Sequence, residues 1–360
     1  MLLAALSIII TLMLLELAFR IFSPQATYSI ARKSSPQIFQ ESDYLPWTLK
    51  PNSKDTHIGL YGDFNVTVEV NSYGLRDYER PVYQNATKML VLGDSMTLGF
   101  GVEGNETYPK QLEQMLNRNG MKYQVFNAGY ADAYSADSYY LYLKERAIEE
   151  FSPRIILLGF FAYNDITDVS LNKRTEDKDG LPIRIETDYY SIDENNRLRS
   201  ARKNIALLKV DLINKIYEGL LARSHLFVFV KTAISNRILA SEANRVFDIE
   251  YNQKLLDDWE VNKKILLEIN NAAKKNRAKL IIIVLPVKFQ VHDDLWERYA
   301  GRIGKDKVSR TKPGELLKEF GKSNRHSPGK CSLSETLMIS RSSGYRGLQE
   351  LMCSMRCSML

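Results

Sequence analysis

Three polar segments carry the residue types that serine-based acyl transfer needs. Gly93-Asp94-Ser95 directly follows an apolar run, and so do Asn127-Ala128-Gly129 and Asn164-Asp165 further along the chain. A serine hydroxyl attacks an ester carbonyl when a base takes its proton and donors stabilise the oxyanion that forms. If the three loops meet at one sheet edge, a hydroxyl, backbone N–H groups and a carboxamide N–H₂ surround one point.

The elements that would position these segments alternate between strands and helices. Apolar runs predict buried strands at 88–92, 123–126, 155–161 and 280–285, and the longest predicted helix covers 252–275. Buried strands that alternate with helices predict an α/β fold, a three-layer α/β/α sandwich around a parallel, doubly wound sheet. Such sheets bind ligands at the carboxyl ends of their strands, where Ser95 lies.

Strands and helices no longer alternate over residues 168–251, and we interpret this stretch as an insertion. Within it, residues 177–199 contain two short strand-like runs with turns at 178–180 and 193–196. Two helical stretches follow, at 205–221 and 225–239. The insertion either covers a cleft or is a connector that packs against the sheet. A further helix is predicted at 313–322, after which the pattern calls for a fifth core strand.

At these polar segments the chain resembles the SGNH (GDSL-type) hydrolase family. The Gly-Asp-Ser block continues with Thr97, Gly99 and Gly101, and Asn71-Ser72-Tyr73-Gly74-Leu75-Arg76 is typical of the lead-in of its membrane-anchored members. The resemblance implies a flavodoxin-like fold and no metal or organic cofactor.

The resemblance also implies a role for each candidate site residue. Ser95 would be the nucleophile and an oxyanion donor through its own N–H, Asn164 a side-chain donor and Gly129 a backbone donor. The family's later glycine in the second loop falls near Ala133, which is a further candidate backbone donor. The usual glycine before Asn-Asp is also absent, since Ala162-Tyr163 stands there.

The family's last block holds an Asp and, three residues later, the His that acts as base, and this chain lacks it. No Asp follows Asp306, and the one later histidine, His326, has Ser323 at that spacing. His292 is a substitute candidate base, because it follows the fourth strand and precedes two aspartates. The alternative is a surface histidine that opens a helix over 293–299.

The tail 323–360 differs from the rest of the chain. It holds nine Ser and four Met and no Val. A one-base frame shift from Asn324 permits Ile-(Gly/Ala/Val/Asp)-Ile-Pro-Leu-Val-(Asn/Ser)-(Ala/Val), which would make a buried strand in the expected place. We therefore interpret the tail as a frameshift product that has lost the catalytic Asp and His.

The N-terminal residues 1–22 are apolar until Glu16 and Arg20 and predict an uncleaved transmembrane anchor. Residues 23–87 form a polar approach segment with a half-exposed strand at 65–70, and 88–322 form the hydrolase-like domain. Basic residues after the anchor favour a cytoplasmic body, whereas the family resemblance favours an exterior one, periplasmic or extracellular. All three cysteines lie in the tail, which fits export.

The sequence thus predicts a single-pass membrane protein with a serine esterase domain. The family resemblance implies that its substrates are O-acyl esters of envelope carbohydrate or lipid. Residues 301–360 carry twelve Lys/Arg and five Asp/Glu, a net charge of +7, so the first 300 residues have a net charge of 6 − 7 = −1. A nearly neutral body of this kind argues against nucleic acid as a partner. The alternative is a binding protein that keeps the pocket, or an inactive product, since the base is missing.

Overall fold

A computed structural model describes residues 2–27, 30, 34–59, 62–118, 120–131, 134–200, 211–239, 245–323 and 336–338. Its strands are β1 (Phe39–Gln40), β2 (Thr48–Leu49), β3 (Ser53–Ile58), β4 (Asn65–Val70), β5 (Thr87–Gly93), β6 (Tyr123–Gly129), β7 (Ile155–Phe160), β8 (Lys173–Glu176), β9 (Pro182–Glu186), β10 (Tyr190–Ile192), β11 (Leu198–Ser200), β12 (Lys279–Val284) and β13 (Thr336–Met338).

Its α-helices are α1 (Leu2–Phe22), α2 (Ser95–Leu98), α3 (Tyr108–Arg118), α4 (Ala136–Tyr142), α5 (Ile148–Phe151), α6 (Ala162–Asp168), α7 (Asp211–Arg223), α8 (His225–Leu239), α9 (Gln253–Lys275), α10 (Lys288–Val291), α11 (Asp293–Ile303) and α12 (Lys312–Ser323). A π-helical turn, Leu143–Ala147, joins α4 to α5. Single 3₁₀ turns lie at Gly104–Glu106 and Arg245–Phe247.

The centre of the molecule is a parallel sheet with the strand order β13-β12-β7-β5-β6. Alternate residues of β5 serve two cores, since side chains along a strand point to opposite faces. Met89 and Val91 pack with Leu112 of α3 on one face, and Leu90 and Leu92 belong to the larger core on the other. The predicted α/β sandwich is therefore confirmed, and the four predicted core strands are found within a residue or two of their expected bounds, except that β6 extends to Gly129.

The segment before the sheet is part of the core. Trp47 and Leu49 are fully buried, and the hydroxyl of Tyr134 donates to the carbonyl of Trp47 at 2.5 Å. β3 and β4 form an antiparallel hairpin, and β4 alternates exposed and buried residues as its sequence predicts. The predicted approach segment thus supplies packing surface as well as a link to α1.

The insertion begins with two antiparallel hairpins, β8–β9 and β10–β11, and continues with α7 and α8. Their turns coincide with the predicted turns, although the sequence suggested two strands where the structure has four. Ile185 of β9 donates its N–H to the carbonyl of Tyr44 at 2.9 Å, and Phe39 donates to the carbonyl of Asn196 at 3.0 Å. The hairpins therefore pack on the segment that precedes the sheet.

The fifth strand expected after α12 is present as a short strand. Thr336–Met338 pairs in parallel with Ile282–Val284 of β12. The other tail residues, 324–335 and 339–360, lie outside the described residues, and so does His326. The frameshift interpretation of the tail stays a prediction.

Candidate active site

Three glycines mark the carboxyl edge of the sheet. Gly93 of β5 pairs in register with Gly129 of β6 on one side and with Gly159 of β7 on the other. The chain leaves the sheet just beyond this row, toward Ser95 from β5 and toward Asn164 from β7. Parallel strands end at the same edge, so the predicted loops emerge from neighbouring strand ends, as the spacing of the motifs requires.

Ser95 begins α2, and Asp94 fixes that turn. The Asp94 side chain accepts the N–H of Met96 at 2.9 Å, and its carbonyl accepts those of Thr97 and Leu98 at 3.0 and 2.9 Å. The turn closes at Gly99, which has φ near 90° and donates its N–H to the carbonyl of Ser95. Asp94 therefore braces the loop, and Ser95, which is half-buried, keeps a route to solvent.

Gly129 lies directly against α2. A Cβ atom at this position would come within 2.1 Å of the backbone nitrogen of Leu98, so only glycine fits. Its N–H donates to Oδ1 of Asn127 at 3.1 Å. That bond uses the single hydrogen of the Gly129 amide, and the predicted donor role of Gly129 would require breaking it. Ala133, the other predicted backbone donor, lies outside the described residues.

Asn164 lies in the first turn of α6, and its carboxamide is held in place from one side. Its Nδ2 donates to Oδ2 of Asp168 at 3.0 Å. A carboxamide N–H₂ carries two hydrogens, so this bond fixes the rotamer and leaves the second hydrogen for another acceptor. The geometry therefore suits the predicted donor role.

Asp165 is fully buried beneath this turn. Its carboxylate accepts the backbone N–H of Phe161 at 2.8 Å and the hydroxyl of Tyr139 at 3.0 Å. Burial, followed by repulsion from Asp94, raises the pKa of Asp165 well above its usual value. Both effects disfavour the charged form of this carboxyl. Through its bond to the N–H of Phe161, the residue that precedes α6, Asp165 also anchors the start of this helix.

The tyrosines of α4 are core residues. Tyr139 and Tyr142 are almost completely buried, and the ring of Tyr142 packs edge-on against Tyr130 with centroids 5.5 Å apart. Tyr130 in turn stacks on Tyr134 at 4.6 Å. These rings support the sheet face beneath the candidate site.

Arg76 is a residue of the site region whose role the sequence did not reveal. Its guanidinium is almost fully buried and donates to four backbone carbonyls, those of Leu98 (3.1 Å), Gly99 (2.5 Å), Thr67 (3.1 Å) and Val102 (2.6 Å). One side chain thus ties β4 to the loop that follows Ser95. The sequence signal was its place at the end of the Asn71–Arg76 lead-in.

The neighbouring residue, Asp77, ties the same lead-in to β6 and α3. Its carboxylate accepts the N–H of Asn127 at 3.3 Å and pairs with the buried ammonium of Lys110 at 2.5 Å. Lys110 also pairs with Glu113 and donates to the carbonyl of Val125 at 2.6 Å. Burial raises the pKa of Asp77, and Lys110 opposes this rise. A polar cavity of about 320 Å³ lies beside this cluster, between β4 and α3.

His57 is the histidine that packs on the loop after Ser95. Its ring lies edge-on to Phe100 and Phe64, with centroids 4.4 and 5.0 Å away. Burial, with a further contribution from the charge of Arg76, lowers the pKa of His57 to about 4. The ring is therefore neutral near neutral pH and acts as an aromatic packing group. No pattern in the sequence singles out this histidine.

His292 occupies the position of a surface histidine that opens a helix. It is exposed, forms the N-cap of α11, and its carbonyl accepts the N–H of Trp296 at 3.0 Å. The two following carboxylates pair with arginines, Asp293 with Arg310 and Asp294 with Arg298. This arrangement is the one that the alternative interpretation of His292 predicts.

Comparisons with known proteins give a fold-level likeness. No protein-family model matches the chain, and no curated protein matches it. A GDSL-like lipase from Bacteroides thetaiotaomicron is 12% identical, with a TM-score of 0.34 over 79% of this chain and 93% of its own. TesA is 10% identical, with a TM-score of 0.29 over 66% of this chain and 98% of its own. AlinE4, an SGNH-hydrolase family esterase, is 12% identical, with a TM-score of 0.27 over 77% of this chain and 96% of its own. With scores this low, the role of each residue has to follow from the geometry of this chain.

Proposed function

We propose that this chain is a serine acyl hydrolase of SGNH type, with Ser95 as its nucleophile. The observation that carries the proposal is the placement of Ser95. Ser95 is half-buried and starts a turn that Asp94 braces, at the carboxyl end of a central strand. Carboxyl ends of parallel strands are where open α/β sheets hold their ligands.

In the proposed reaction, Oγ of Ser95 attacks the carbonyl carbon of an ester, and its proton passes to water in place of the histidine that the family's last block would supply. The tetrahedral oxyanion accepts hydrogen bonds from the Ser95 N–H and from the free hydrogen of Asn164 Nδ2. Collapse of this intermediate breaks the bond to the alcohol, which leaves with a proton, and water then releases the acid from Ser95. Asp94 engages the amides of Met96, Thr97 and Leu98, so these amides serve the turn.

The proposed substrates are O-acyl esters of envelope carbohydrate or lipid, reached from a membrane anchor with the domain on the exterior side. α1 is the one helix in the described part of the chain that is long and apolar enough to span a membrane. Met96 and Phe100, on either side of the turn after Ser95, are large exposed apolar residues. They offer a surface for the hydrocarbon part of an acyl group.

A second candidate is a binding protein that keeps this pocket without turnover. The sequence favours it through the missing Asp-x-x-His block, and the structure through the exposed position of His292. Loss of the base from a serine triad lowers the rate by roughly 10⁴–10⁶-fold, so the two candidates differ by a measurable factor.

Labelling by a fluorophosphonate probe separates the two candidates, because phosphonylation needs an activated hydroxyl. The proposal expects labelling of the full chain that is lost in Ser95→Ala and retained in Ser170→Ala, whose exposed hydroxyl bonds to Thr167. Asn164→Ala should slow hydrolysis of an aryl acetate by about 10²–10³-fold. His292→Ala should leave it unchanged. A folded chain that resists the probe would favour the binding protein.

A further inference from the structure

The only contacts described for α1 outside its own helix join its last third to the insertion. The carboxylate of Glu16 accepts the hydroxyl of Ser224 at 2.8 Å and the backbone N–H groups of His225 and Leu226 at 3.0 and 2.9 Å. These groups form the start of α8, whose first amides have no partner inside the helix. A side chain of α1 therefore caps a helix that lies about two hundred residues further along the chain.

Three more contacts support the same junction. Arg20, which pairs with Glu16 at 2.8 Å, donates to the carbonyl of Arg223 at the end of α7. The ring of Phe19 lies 4.6 Å from that of Phe229 in α8. The N–H of Gln25 donates to Nδ1 of His225 at 2.7 Å. The hairpin α7–α8 is thus tied to α1 by polar and aromatic contacts together.

The position of Glu16 along α1 sets the depth of this junction. At 1.5 Å per residue, Glu16 lies about 21 Å from Leu2 and about 9 Å before Phe22. A span of this length matches a hydrocarbon core of about 30 Å, so Glu16 would lie below the membrane surface. A carboxylate at that depth needs partners, and the start of α8 supplies them. The hairpin must then reach below the headgroups.

The surface of the hairpin suits that location. Residues 226–230, Leu-Phe-Val-Phe-Val, leave no polar face in the first turns of α8. Phe229 and Val230 are 42% and 45% exposed, and Ile216 of α7 is 55% exposed. The two helices also carry four Lys/Arg (215, 223, 231 and 237) against two acidic residues (211 and 218), a net charge of +2 that favours anionic lipid.

We propose that α7 and α8 lie in the interfacial layer of an anionic bilayer, held beside α1 by the cap that Glu16 provides. The exposed apolar side chains of the hairpin contact lipid, and its net positive charge favours the anionic headgroups. This inference rests on the proposed membrane anchoring of α1 and is independent of the chemistry proposed for Ser95. It also gives α1 a lasting structural role, because removal of α1 would take away the carboxylate that accepts the N–H groups of His225 and Leu226.

Quenching by spin-labelled lipid tests the proposal in the full chain. The chain is reconstituted into phosphatidylcholine–phosphatidylglycerol vesicles that carry doxyl lipid, and tryptophan is placed at Val230 or, as a matched exposed control, at Ile303 of α11. Val230→Trp should add a lipid-quenched component, with quenching about twofold above that of Ile303→Trp. Acrylamide in the water phase should quench Ile303→Trp more strongly.

Each other outcome overturns the inference in a distinguishable way. If Val230→Trp is quenched by acrylamide as Ile303→Trp is, the hairpin faces water. If neither quencher reaches it, a protein surface covers the hairpin. If the chain fails to float with the vesicles, the anchoring itself is wrong, while fluorophosphonate labelling still reports on Ser95.

Glu16→Gln, which removes the charge with little change of shape, should keep flotation and reduce the lipid quenching of Val230→Trp. Unchanged quenching would contradict the capping role.

Discussion

Arg76 holds the loop that follows Ser95, and its replacement should release that loop. The guanidinium makes four hydrogen bonds to backbone carbonyls, two of them from the buried residues Leu98 and Gly99. A hydrogen bond from a charged donor contributes about 1.5–3 kcal/mol, and contributions within one cluster are not additive. Arg76→Met leaves all four carbonyls without this donor, and we expect it to lower the free energy of unfolding by about 3–5 kcal/mol. Arg76→Lys keeps the charge but loses the planar fork, and we expect about 2–3 kcal/mol.

Urea unfolding measures the global effect, and amide hydrogen exchange locates it. The N–H groups of Gly99 and Phe100 both donate to the carbonyl of Ser95. If Arg76→Lys removes about 3 kcal/mol of local stability, exchange at these two amides should accelerate about a hundredfold. Amides in the middle of β7 should change only as far as global unfolding requires.

Arg146→Lys is the matched control for Arg76→Lys. Arg146 also donates to a backbone carbonyl, that of Tyr73 at 3.0 Å, but it is partly exposed and pairs with Glu150. We expect a loss of less than about 1 kcal/mol. Equal stability losses for the two lysine variants, or unchanged exchange at Gly99 and Phe100 in Arg76→Lys, would refute the clamp.

Two further predictions concern packing around the same loop. Gly129→Ala should lower the free energy of unfolding in urea by about 1–3 kcal/mol, because the added Cβ would meet the backbone of α2. Gly104→Ala is the control, since a Cβ at that position meets nothing within 4 Å and should have little effect. Equal effects of the two variants would contradict this packing. The pKa of His57 is lowered to about 4, so its neutral form favours the folded state fully above pH 6.5, and that contribution is lost as the pH falls toward 4. His57→Phe keeps an aromatic ring and should flatten the pH dependence of the free energy of unfolding between pH 6.5 and 4. An unchanged slope in this variant would show that His57 is not the source of that pH dependence.

Sequence patterns were sufficient for the elements that carry the site. β6 and β7 are buried along their whole length, and β5 and β12 are buried from Met89 and Leu280 onward. Asn252 is the N-cap of α9, and its side chain accepts the N–H of Leu255 at 2.9 Å. These features depend on local periodicity and on capping residues within a few positions of each other. The same holds for Asp94, because its brace on Met96 spans two residues.

The parts that the sequence did not predict depend on contacts between distant segments. Arg76 bonds to carbonyls 22 to 26 residues further on, and Glu16 to groups 208 to 210 residues away. A bond from a side chain to a backbone group carries no periodic signature at either end. The burial of Trp47 was missed for a related reason, since the polar composition of residues 23–87 hid a few large apolar side chains that fill the core.

The short strand β13 adds a structural argument to the frameshift prediction for the tail. β13 runs parallel to β12 and ends at the same edge of the sheet as β5, three strand positions or roughly 14 Å from it. In sequence, residues 339–360 contain no His and no Asp. Sequencing across the codon for Asn324 should reveal a shifted frame that encodes a buried strand after α12, followed by Asp-x-x-His. The restored chain should then react with a fluorophosphonate at Ser95 faster than this chain does, by up to roughly 10⁴–10⁶-fold. An intact gene with no such block in any nearby frame would show that the tail is genuine.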